Sequence, residues 1–385
     1  MGERAATFRR TLFWIINEVF TLIRTTLTQS LDELRPTLAA WDELVQRRPM
    51  RSPAWMLNWW NHYTNASREL CVLWFHASDE LVGVAPLFRE SIGNKRVYRL
   101  LGSGDVCTDH TTWFARGGYE QAVGKAVAQY FMDCEPGSRL HLEAVDSEDA
   151  ALAATESRLR EMGALVRGTP TLDCWRLELP ETWEDYLQML SKSHRKRCRR
   201  LLRSYFDAGR IVVRHAQEEN LEAVWQSFLE LHAVRWGDRQ RPAGAFSPPR
   251  FQRFHQDLTR QLLGRGQLRL CLLELDGQPV AAEYQFFDHD TLYAYQSGMT
   301  AETDGQPGNL SLIATIQFAL ERGLKRLDFL RGNEPYKAHW RATPQACRDL
   351  RVWPKGIAGR FEIGVLEAKR FASSWLAGSA AESPS

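Results

Sequence analysis

The sequence lacks several features that mark specialised classes of protein. Its seven cysteines are scattered and never form a Cys-x-x-Cys pair, which argues against a zinc framework or a disulfide-stapled secreted fold and favours reduced thiols. A formal net charge of only +2 argues against a general nucleic-acid binder. The chain has no Gly-x-Ser-x-Gly, His-Glu-x-x-His or Walker sequence, which disfavours serine, metal-dependent and nucleotide hydrolysis. We therefore expect a cytoplasmic protein that binds no metal.

The chain also lacks a long uninterrupted apolar run. The strongest candidate for membrane contact, Phe8 to Leu27, is interrupted by Asn17 and Glu18 and falls short of the ~20 apolar residues of a spanning helix. It has no small-residue cleavage site of a secretory signal. Flanking arginines permit an interfacial amphipathic helix, but a helix docked on the protein is the interpretation we prefer. We assign residues 1–30 to an N-terminal helical extension.

What the chain does contain is enough apolar material for two packed domains. It has 385 residues, of which 44% are hydrophobic and 14 are tryptophan. Both halves show a strand, a tight acidic turn and a second strand, with turns at Asp79-Glu80 and Asp276-Gly277. The most favourable boundary is Gly168-Thr-Pro170-Thr. We predict α/β domains at 31–169 and 170–356, a long helix at 183–207, and a terminal helix and tail at 357–385.

Residues 326–340 are the most informative segment. An alternating strand ends at Arg331-Gly332 and is followed at once by Glu334, Tyr336 and Lys337. Upstream, a Gly-Gln-Pro-Gly-Asn turn at 305–309 opens an apolar helix, and the free N–H groups of such a helix start can bind an anion. Each piece also has an ordinary structural explanation, such as an i,i+3 ion pair of Glu334 with Lys337. The order of the pieces favours a functional site.

This order of motifs resembles the GNAT superfamily of acyl-CoA transferases. Within it, the segment is similar to the CelD-like, cellulose-biosynthesis-associated acetyltransferases, which are themselves similar to Fem-type aminoacyl transferases. The resemblance covers roughly residues 41–353 and implies an α/β (α+β) fold of two tandem GNAT-like domains, each a mixed, mostly antiparallel sheet flanked by helices. The family pattern S/T-P-G-x-x-L and then D-F-x-R-G-x-E-x-Y-K-x-x-W is matched by Pro307, Gly308, Leu310 or Leu312, Asp328, Phe329, Arg331, Gly332, Glu334, Tyr336, Lys337 and Trp340.

The resemblance also implies roles for individual residues. The pyrophosphate of coenzyme A is expected on the helix start, so the donor-binding candidates are Pro307, Gly308, Asn309 and Leu310, with Ser297 on the preceding strand. Tyr336 is the candidate acid for the leaving thiolate. The candidate bases, in order of preference, are Asp328, Glu334 and Glu283. The candidate acceptor-binding residues are Arg331, Lys337, Asp109, His110, Arg195 and Arg199. Each of these acceptor-binding assignments has a structural alternative. Arg331 and Lys337 could form structural ion pairs, and Asp109-His110 could cap a loop.

A dense basic run lies between Ser191 and Phe206, which holds seven basic residues and no acidic one. Its apolar residues recur at helical spacing, so one stripe is expected to be buried and the cationic face solvated. An anion-contacting helix is the sharper interpretation, because a single-sign run costs self-repulsion. A nucleic-acid site is a third option, although the aromatic residues that such sites interleave are missing.

Together these features predict an N-acyltransferase that uses acetyl-CoA or a longer acyl-CoA. The expected acceptor is a small-molecule amine or an amino sugar of exopolysaccharide or cell-envelope synthesis. The helix-start loop departs from the usual Arg/Gln-x-x-Gly-x-Gly/Ala pattern, which leaves open a Fem-type enzyme that takes its donor from aminoacyl-tRNA. A non-catalytic scaffold of a polysaccharide-synthesis system is the alternative outside enzymes. The sequence does not indicate an oligomeric state.

Overall fold

A computed structural model of the protein describes residues 11–16, 21–238, 240–301 and 306–355. The strands are β1 (Thr11–Ile16), β2 (Thr21–Thr28), β3 (Arg68–Ala77), β4 (Glu80–Ile92), β5 (Lys95–Leu100), β6 (Phe114–Ala115), β7 (Arg139–Asp146), β8 (Leu165–Pro170), β9 (Cys174–Glu178), β10 (Ile211–His215), β11 (Leu268–Leu275), β12 (Gln278–Phe287), β13 (Thr291–Met299), β14 (Arg326–Arg331), β15 (Thr343–Gln345) and β16 (Cys347–Trp353). The helices are α1 (Leu31–Leu34), α2 (Leu38–Leu44), α3 (Pro53–Tyr63), α4 (Glu120–Cys134), α5 (Ala150–Glu161), α6 (Trp183–Met189), α7 (Lys192–Leu201), α8 (Leu221–Trp236), α9 (Pro249–Gly264), α10 (Pro307–Glu321) and α11 (Pro335–His339).

The strands form two mixed sheets. The first has the order β1-β2-β3-β4-β5-β7-β16-β8, with β6 added to β4, and the second has the order β10-β11-β12-β13-β14-β9-β15. Pairing is antiparallel except between β5 and β7 in the first sheet and between β13 and β14 in the second. Helices flank both sheets. The predicted α/β class, with two mixed, mostly antiparallel sheets, is therefore confirmed.

The path of the chain differs from the predicted partition at two places. Residues 11–16 and 21–28 are strands at the edge of the first sheet, so the helical N-terminal extension is wrong where the structure describes it. The segment Thr21–Thr28 is rich in threonine, and β-branched residues favour a pleated strand over a helix. Strand β16, which the predicted partition places in the C-terminal domain, returns to the first sheet and pairs with β7 and β8.

The predicted long helix at 183–207 is divided into two helices and a turn of π-helix. Helix α6 stops where Leu190 adopts an extended conformation, and Ser191 then caps α7 by accepting a hydrogen bond from the N–H of His194. The π turn runs over Leu202–Phe206. The predicted terminal helix and tail at 357–385 lie outside the described residues. Every helix in the described ranges is too short or too polar to cross a membrane.

A shared aromatic core joins the two halves. Trp55 of α3, in the first half, lies 5.6 Å from Phe254, 5.3 Å from Phe286 and 5.8 Å from Tyr295, measured between ring centroids. Such pairs each contribute about 0.5–1.5 kcal/mol beyond the burial of apolar area. The packing fixes the N-terminal half directly behind β12 and β13.

Strands β13 and β14 diverge, and this divergence creates the main cavity. They pair only at Thr291 with Arg326, Leu292 with Leu327 and Tyr293 with Asp328. Strand β13 continues to Met299 and β14 to Arg331. Because no ladder joins the strands beyond these three pairs, backbone groups of β13 on that side are available to a ligand.

Candidate active site

The space between the diverging strands is a cavity of about 730 Å³. Its walls include Ala294 to Ser297 of β13, and Phe329 and Arg331 of β14. The start of α10 and the C-terminal end of α8 complete it. The cavity is within the usual size range of sites for small molecules and cofactors.

Two of the predicted donor-binding residues, Gly308 and Asn309, line this cavity at the first turn of α10. Pro307 and Leu310 are buried and fix the helix start instead. The residue before the helix, Gln306, has a left-handed backbone and accepts two hydrogen bonds from Arg197, at 3.0 and 2.6 Å. The basic helix α7 thus reaches the helix start through one arginine. The positive end of α10 faces the cavity, where it favours an anionic group.

Ser297 lies in the wall of the cavity opposite Glu283, its partner in the β12–β13 ladder. Its hydroxyl accepts a 2.6 Å hydrogen bond from Arg235, and its carbonyl accepts a 2.9 Å bond from the indole N–H of Trp236. The guanidinium of Arg235 stacks on the Trp236 ring, 4.6 Å from its centroid. The end of α8 is therefore tied to the strand that carries the predicted donor contact.

Glu283 is the only one of the three candidate bases whose carboxylate is both buried and in the cavity wall. Burial raises its pKa, and hydrogen bonds from Ser311 and from Gln285, the latter at 3.0 Å, offset part of that rise. A carboxylate has about four acceptor positions. Two bonds leave Glu283 able to accept a proton from a group in the cavity.

Tyr336 and Glu334 lie on the other side of the cavity, in and just before α11. Tyr336 as a residue is 38% exposed, but its phenol end is enclosed. This burial, and then the charges of Glu334 and Glu283, raise the pKa of the phenol above its ordinary value, so it holds its proton at neutral pH. Its ring packs edge-on against Phe329 at 5.9 Å. Glu334 is exposed and forms a 2.9 Å ion pair with Lys337.

Lys337 and Arg331 border the cavity, but the structure uses most of their hydrogen-bonding capacity internally. The buried ammonium of Lys337 donates to the carbonyls of Leu330 at 3.2 Å and Gly332 at 2.9 Å besides its bond to Glu334. All three of its donors are occupied, so Lys337 holds the loop after β14. Its predicted contact with the acceptor is not supported by this geometry.

Asp109 and His110 lie outside the cavity wall and connect the first half of the molecule to β14. Asp109 accepts hydrogen bonds from the Arg331 side chain at 2.9 and 2.6 Å and from its backbone N–H at 3.1 Å. These bonds fix the direction of Arg331. A direct contact of Asp109 or His110 with the acceptor, as predicted, does not fit this placement.

Asp328, the first-choice base, also lies outside the cavity wall. Its fully buried carboxylate is 3.1 Å from His110 Nε2 and 3.3 Å from Arg176 Nε, and it accepts a 2.9 Å bond from the N–H of Leu330. Burial alone would raise the pKa of Asp328, but the charges of His110 and Arg176 outweigh it and lower the pKa. A carboxylate so paired is a poor proton acceptor, and this placement favours Glu283 over Asp328 as the base.

The remaining two predicted residues, Arg195 and Arg199, also contact other parts of the protein. Arg195 donates to the side chain of Gln188 at 2.6 Å and to the carbonyl of Leu190 at 3.3 Å. Arg199 forms an ion pair with Glu184. Both arginines bridge the break between α6 and α7, and neither lines the cavity.

Sequence reasoning missed the contribution of α8. The cavity wall includes His232, Arg235 and Trp236 from this helix and Asp238 and Arg241 from the loop after it. The sequence contains one signal of this contribution, the segment Arg235 to Asp238, which reads Arg-Trp-Gly-Asp. It places an aromatic residue and two charged residues at the end of a helix that a glycine terminates. Trp236 is 45% exposed although its indole N–H is held by the carbonyl of Ser297.

Residues 192–338 match the family model of the acetyltransferase (GNAT) domain. This part of the chain is similar to GNAT acyltransferases. The match spans α7 to most of α11 and includes every residue that lines the cavity except Trp340, so the cavity lies in a fold of the GNAT acyltransferase type.

Several solved structures share the fold over most of the chain. FemX aligns over 84% of this chain and 96% of its own, with a TM-score of 0.59 and 10% identity. A conserved protein of unknown function from Bacteroides thetaiotaomicron aligns over 86% and 99%, with a TM-score of 0.53 and 12% identity. The C-terminal domain of a putative lysylphosphatidylglycerol synthetase from Agrobacterium fabrum aligns over 86% of this chain and 95% of its own, with a TM-score of 0.50 and 12% identity. Such identities show the fold alone. No curated protein has significant sequence similarity to the chain.

Proposed function

We propose that the protein is an N-acyltransferase that transfers an acyl group, most simply acetyl, from coenzyme A to an amine. One observation carries the proposal: the cavity between β13 and β14 holds a buried carboxylate, Glu283, and a protonated phenol, Tyr336, beside the first turn of α10. These are the groups that acyl transfer from a thioester to an amine requires.

The residues around the cavity fit an acyl-CoA donor. Gly308 leaves room at the first turn of α10 for a phosphate to approach the backbone, since an added Cβ would meet only the flexible end of Met299, at 3.3 Å. The unpaired side of β13 offers backbone donors and acceptors along the remainder of such a ligand. When bound, an acyl-CoA supplies an activated acyl group and a thiolate leaving group.

In the proposed reaction, Glu283 accepts a proton from the amine as its nitrogen bonds to the acyl carbon. Tyr336 donates its proton to the sulfur as the carbon–sulfur bond breaks. Backbone N–H groups on the free side of β13 stabilise the negative charge on the carbonyl oxygen. Arg331, whose Nε and Nη2 are paired with Asp109, faces the same space and leaves its Nη1 to donate to an acceptor oxygen.

We propose an amino sugar as the acceptor. Trp236 and Tyr336 both line the cavity, and these residues are 45% and 38% exposed. Their flat faces suit the apolar face of a sugar ring, and Asp238 and Gln296 supply polar partners. A CelD-like role in exopolysaccharide or cell-envelope synthesis agrees with such an acceptor. The scattered, unpaired cysteines favour the reducing cytoplasm.

The proposal is tested by the pH dependence of thiol release from acetyl-CoA with a panel of amino sugars. The base must be deprotonated, so kcat/KM of the wild type should rise with pH through the pKa of Glu283, at a pH above the ordinary glutamate value. Glu283→Gln should abolish this limb and lower kcat by about 10²-fold or more. The matched control is Glu222→Gln, because Glu222 is exposed on α8 outside the cavity wall. An unchanged limb in Glu283→Gln would remove Glu283 from the reaction.

A second candidate function is aminoacyl transfer to a peptidoglycan precursor. It is favoured by the extent of the likeness to FemX, which spans 84% of this chain, and by the basic helix α7 beside the helix start. This version requires a charged tRNA as donor. Activity that depends on aminoacyl-tRNA and is lost on ribonuclease treatment would support it over the acyl-CoA version.

A further inference from the structure

A second, smaller cavity lies between the two halves of the molecule. It has a volume of about 70 Å³, which is room for a few water molecules or one small anion. The first half contributes Arg48, which precedes a short 3-10 turn, and Arg51, the last residue of that turn, together with His110 and Asp146. The second half contributes Arg176, Arg326, Thr291 and Tyr293. The cavity is therefore lined by four arginines, one histidine and one carboxylate, that of Asp146.

Two of the four arginines are neutralised by close ion pairs. Arg326 is 2.9 Å from Asp290, and Arg176 is 3.3 Å from Asp328. His110 lies between Asp328 and Asp146, 3.0 Å from the latter. The carboxylates near the cavity are thus already engaged.

Arg48 and Arg51 are the two arginines of this cavity whose donors are least used. Arg48 Nε is buried without a hydrogen-bond partner, and its ion pair with Asp288 is long, at 3.9 Å. Arg51 Nε donates to the carbonyl of His110 at 2.7 Å. In the described part of the chain, the Nη atoms of Arg51 make no hydrogen bond or ion pair. Burial, and then the charge of Arg48, lower the pKa of Arg51, and the charges of Asp146 and Asp149 offset only part of this fall.

We propose that this cavity binds a small oxyanion of the phosphate class, held by Arg48 and Arg51. The guanidinium fork suits phosphate oxygens and is favoured for buried anion contacts. The guanidinium groups that line the cavity disfavour a metal cation, and a volume of about 70 Å³ excludes a whole nucleotide. Asp146 also borders the cavity, but its pairing with His110 limits repulsion of a bound anion. The ligand would bridge the two halves beside β14.

The test is calorimetric titration of the full-length protein with inorganic phosphate at constant ionic strength. Glycerol 3-phosphate serves as a second ligand that distinguishes free phosphate from a phosphate monoester. Arg51→Gln and, separately, Arg48→Gln should weaken phosphate binding at least tenfold. The control Arg214→Gln, which changes an exposed arginine paired with Glu274 on β10, should leave binding unchanged.

A further control separates this cavity from the larger one. Gly308→Val changes the start of α10 and should not affect phosphate affinity if the anion binds between Arg48 and Arg51. Loss of phosphate binding in Gly308→Val but not in Arg51→Gln or Arg48→Gln would overturn the inference, as would a wild type that binds neither ligand. Tighter binding of glycerol 3-phosphate would support the inference and identify the ligand as a phosphate monoester. The measurement does not depend on turnover, so it is independent of the proposed acyl transfer.

Discussion

Replacing His110 by glutamine should destabilise the protein in a way that depends on pH. His110 lies 3.1 Å from the fully buried Asp328 and 3.0 Å from Asp146. Removing one partner of a buried charged pair typically costs about 3–5 kcal/mol. Asp328 keeps Arg176 and the N–H of Leu330, so we expect the lower end, about 3 kcal/mol at pH 6. That is a large fraction of the ~5–15 kcal/mol that stabilises a typical domain.

The sign of the pH dependence follows from the pKa values of the paired groups. Burial alone would lower the pKa of His110, but Asp328 and Asp146 raise it well above its ordinary value. The contribution of His110 to the free energy of unfolding is therefore complete below a pH of about 6.5, the ordinary histidine pKa. It falls by about 1.4 kcal/mol for each pH unit above that value and is lost once the pH passes the higher pKa of the folded state. Burial would raise the pKa of Asp146, but His110 lowers it to about 2, so that contribution is lost as the pH falls from about 4 to about 2.

Urea unfolding of the wild type and His110→Gln at pH 6 and pH 9 measures the effect. The stability difference between the two proteins should be largest at pH 6 and shrink at pH 9. His289→Gln is the matched control, because the His289 side chain is 55% exposed and its loss should cost little. A difference that does not change between the two pH values would refute the charged state assigned to His110.

Two further substitutions separate catalytic from structural roles. Tyr336→Phe keeps the ring packing on Phe329 and removes only the hydroxyl, so kcat should fall about 10²-fold while the KM for the donor changes little; steady-state kinetics that show a wild-type kcat would end its assignment as the acid. Asp328→Asn should lower the free energy of unfolding by about 3 kcal/mol, because His110 and Arg176 lose their shared buried partner, and should leave the acidic limb of the kcat/KM profile in place. Disappearance of that limb would restore Asp328 as the base.

Local patterns in the sequence predict much of the second sheet. The hairpin of β11 and β12 is expected from Asp276-Gly277, and both residues have the positive φ that this turn requires. The start of α10 and the strand at 326–331 are also predicted, because their turn residues and apolar alternation are local signals. Local signals are therefore enough to predict two parts of the cavity wall, the start of α10 and the strand that follows this helix.

Contacts between distant segments could not be predicted in the same way. The partner of Asp328 is His110, in the other half of the chain, and β16 pairs with β7 across a similar separation. A single sequence carries no periodicity that reports such pairs. The order of the candidate bases depends on these contacts, because burial and partners decide which carboxylate can accept a proton.

Binding of acetyl-CoA to the wild type and to Gly308→Val, measured by calorimetry, tests the central claim most directly. The claim is that the start of α10 in the 730 Å³ cavity binds the donor. A branched side chain at this position would occupy the phosphate volume, so affinity should fall at least tenfold, about 1.4 kcal/mol. Gly264→Val, in a helix where an added Cβ meets nothing within 4 Å, should bind like the wild type. Equal affinity in folded Gly308→Val, or no binding of any acyl-CoA at millimolar concentration, would contradict the account.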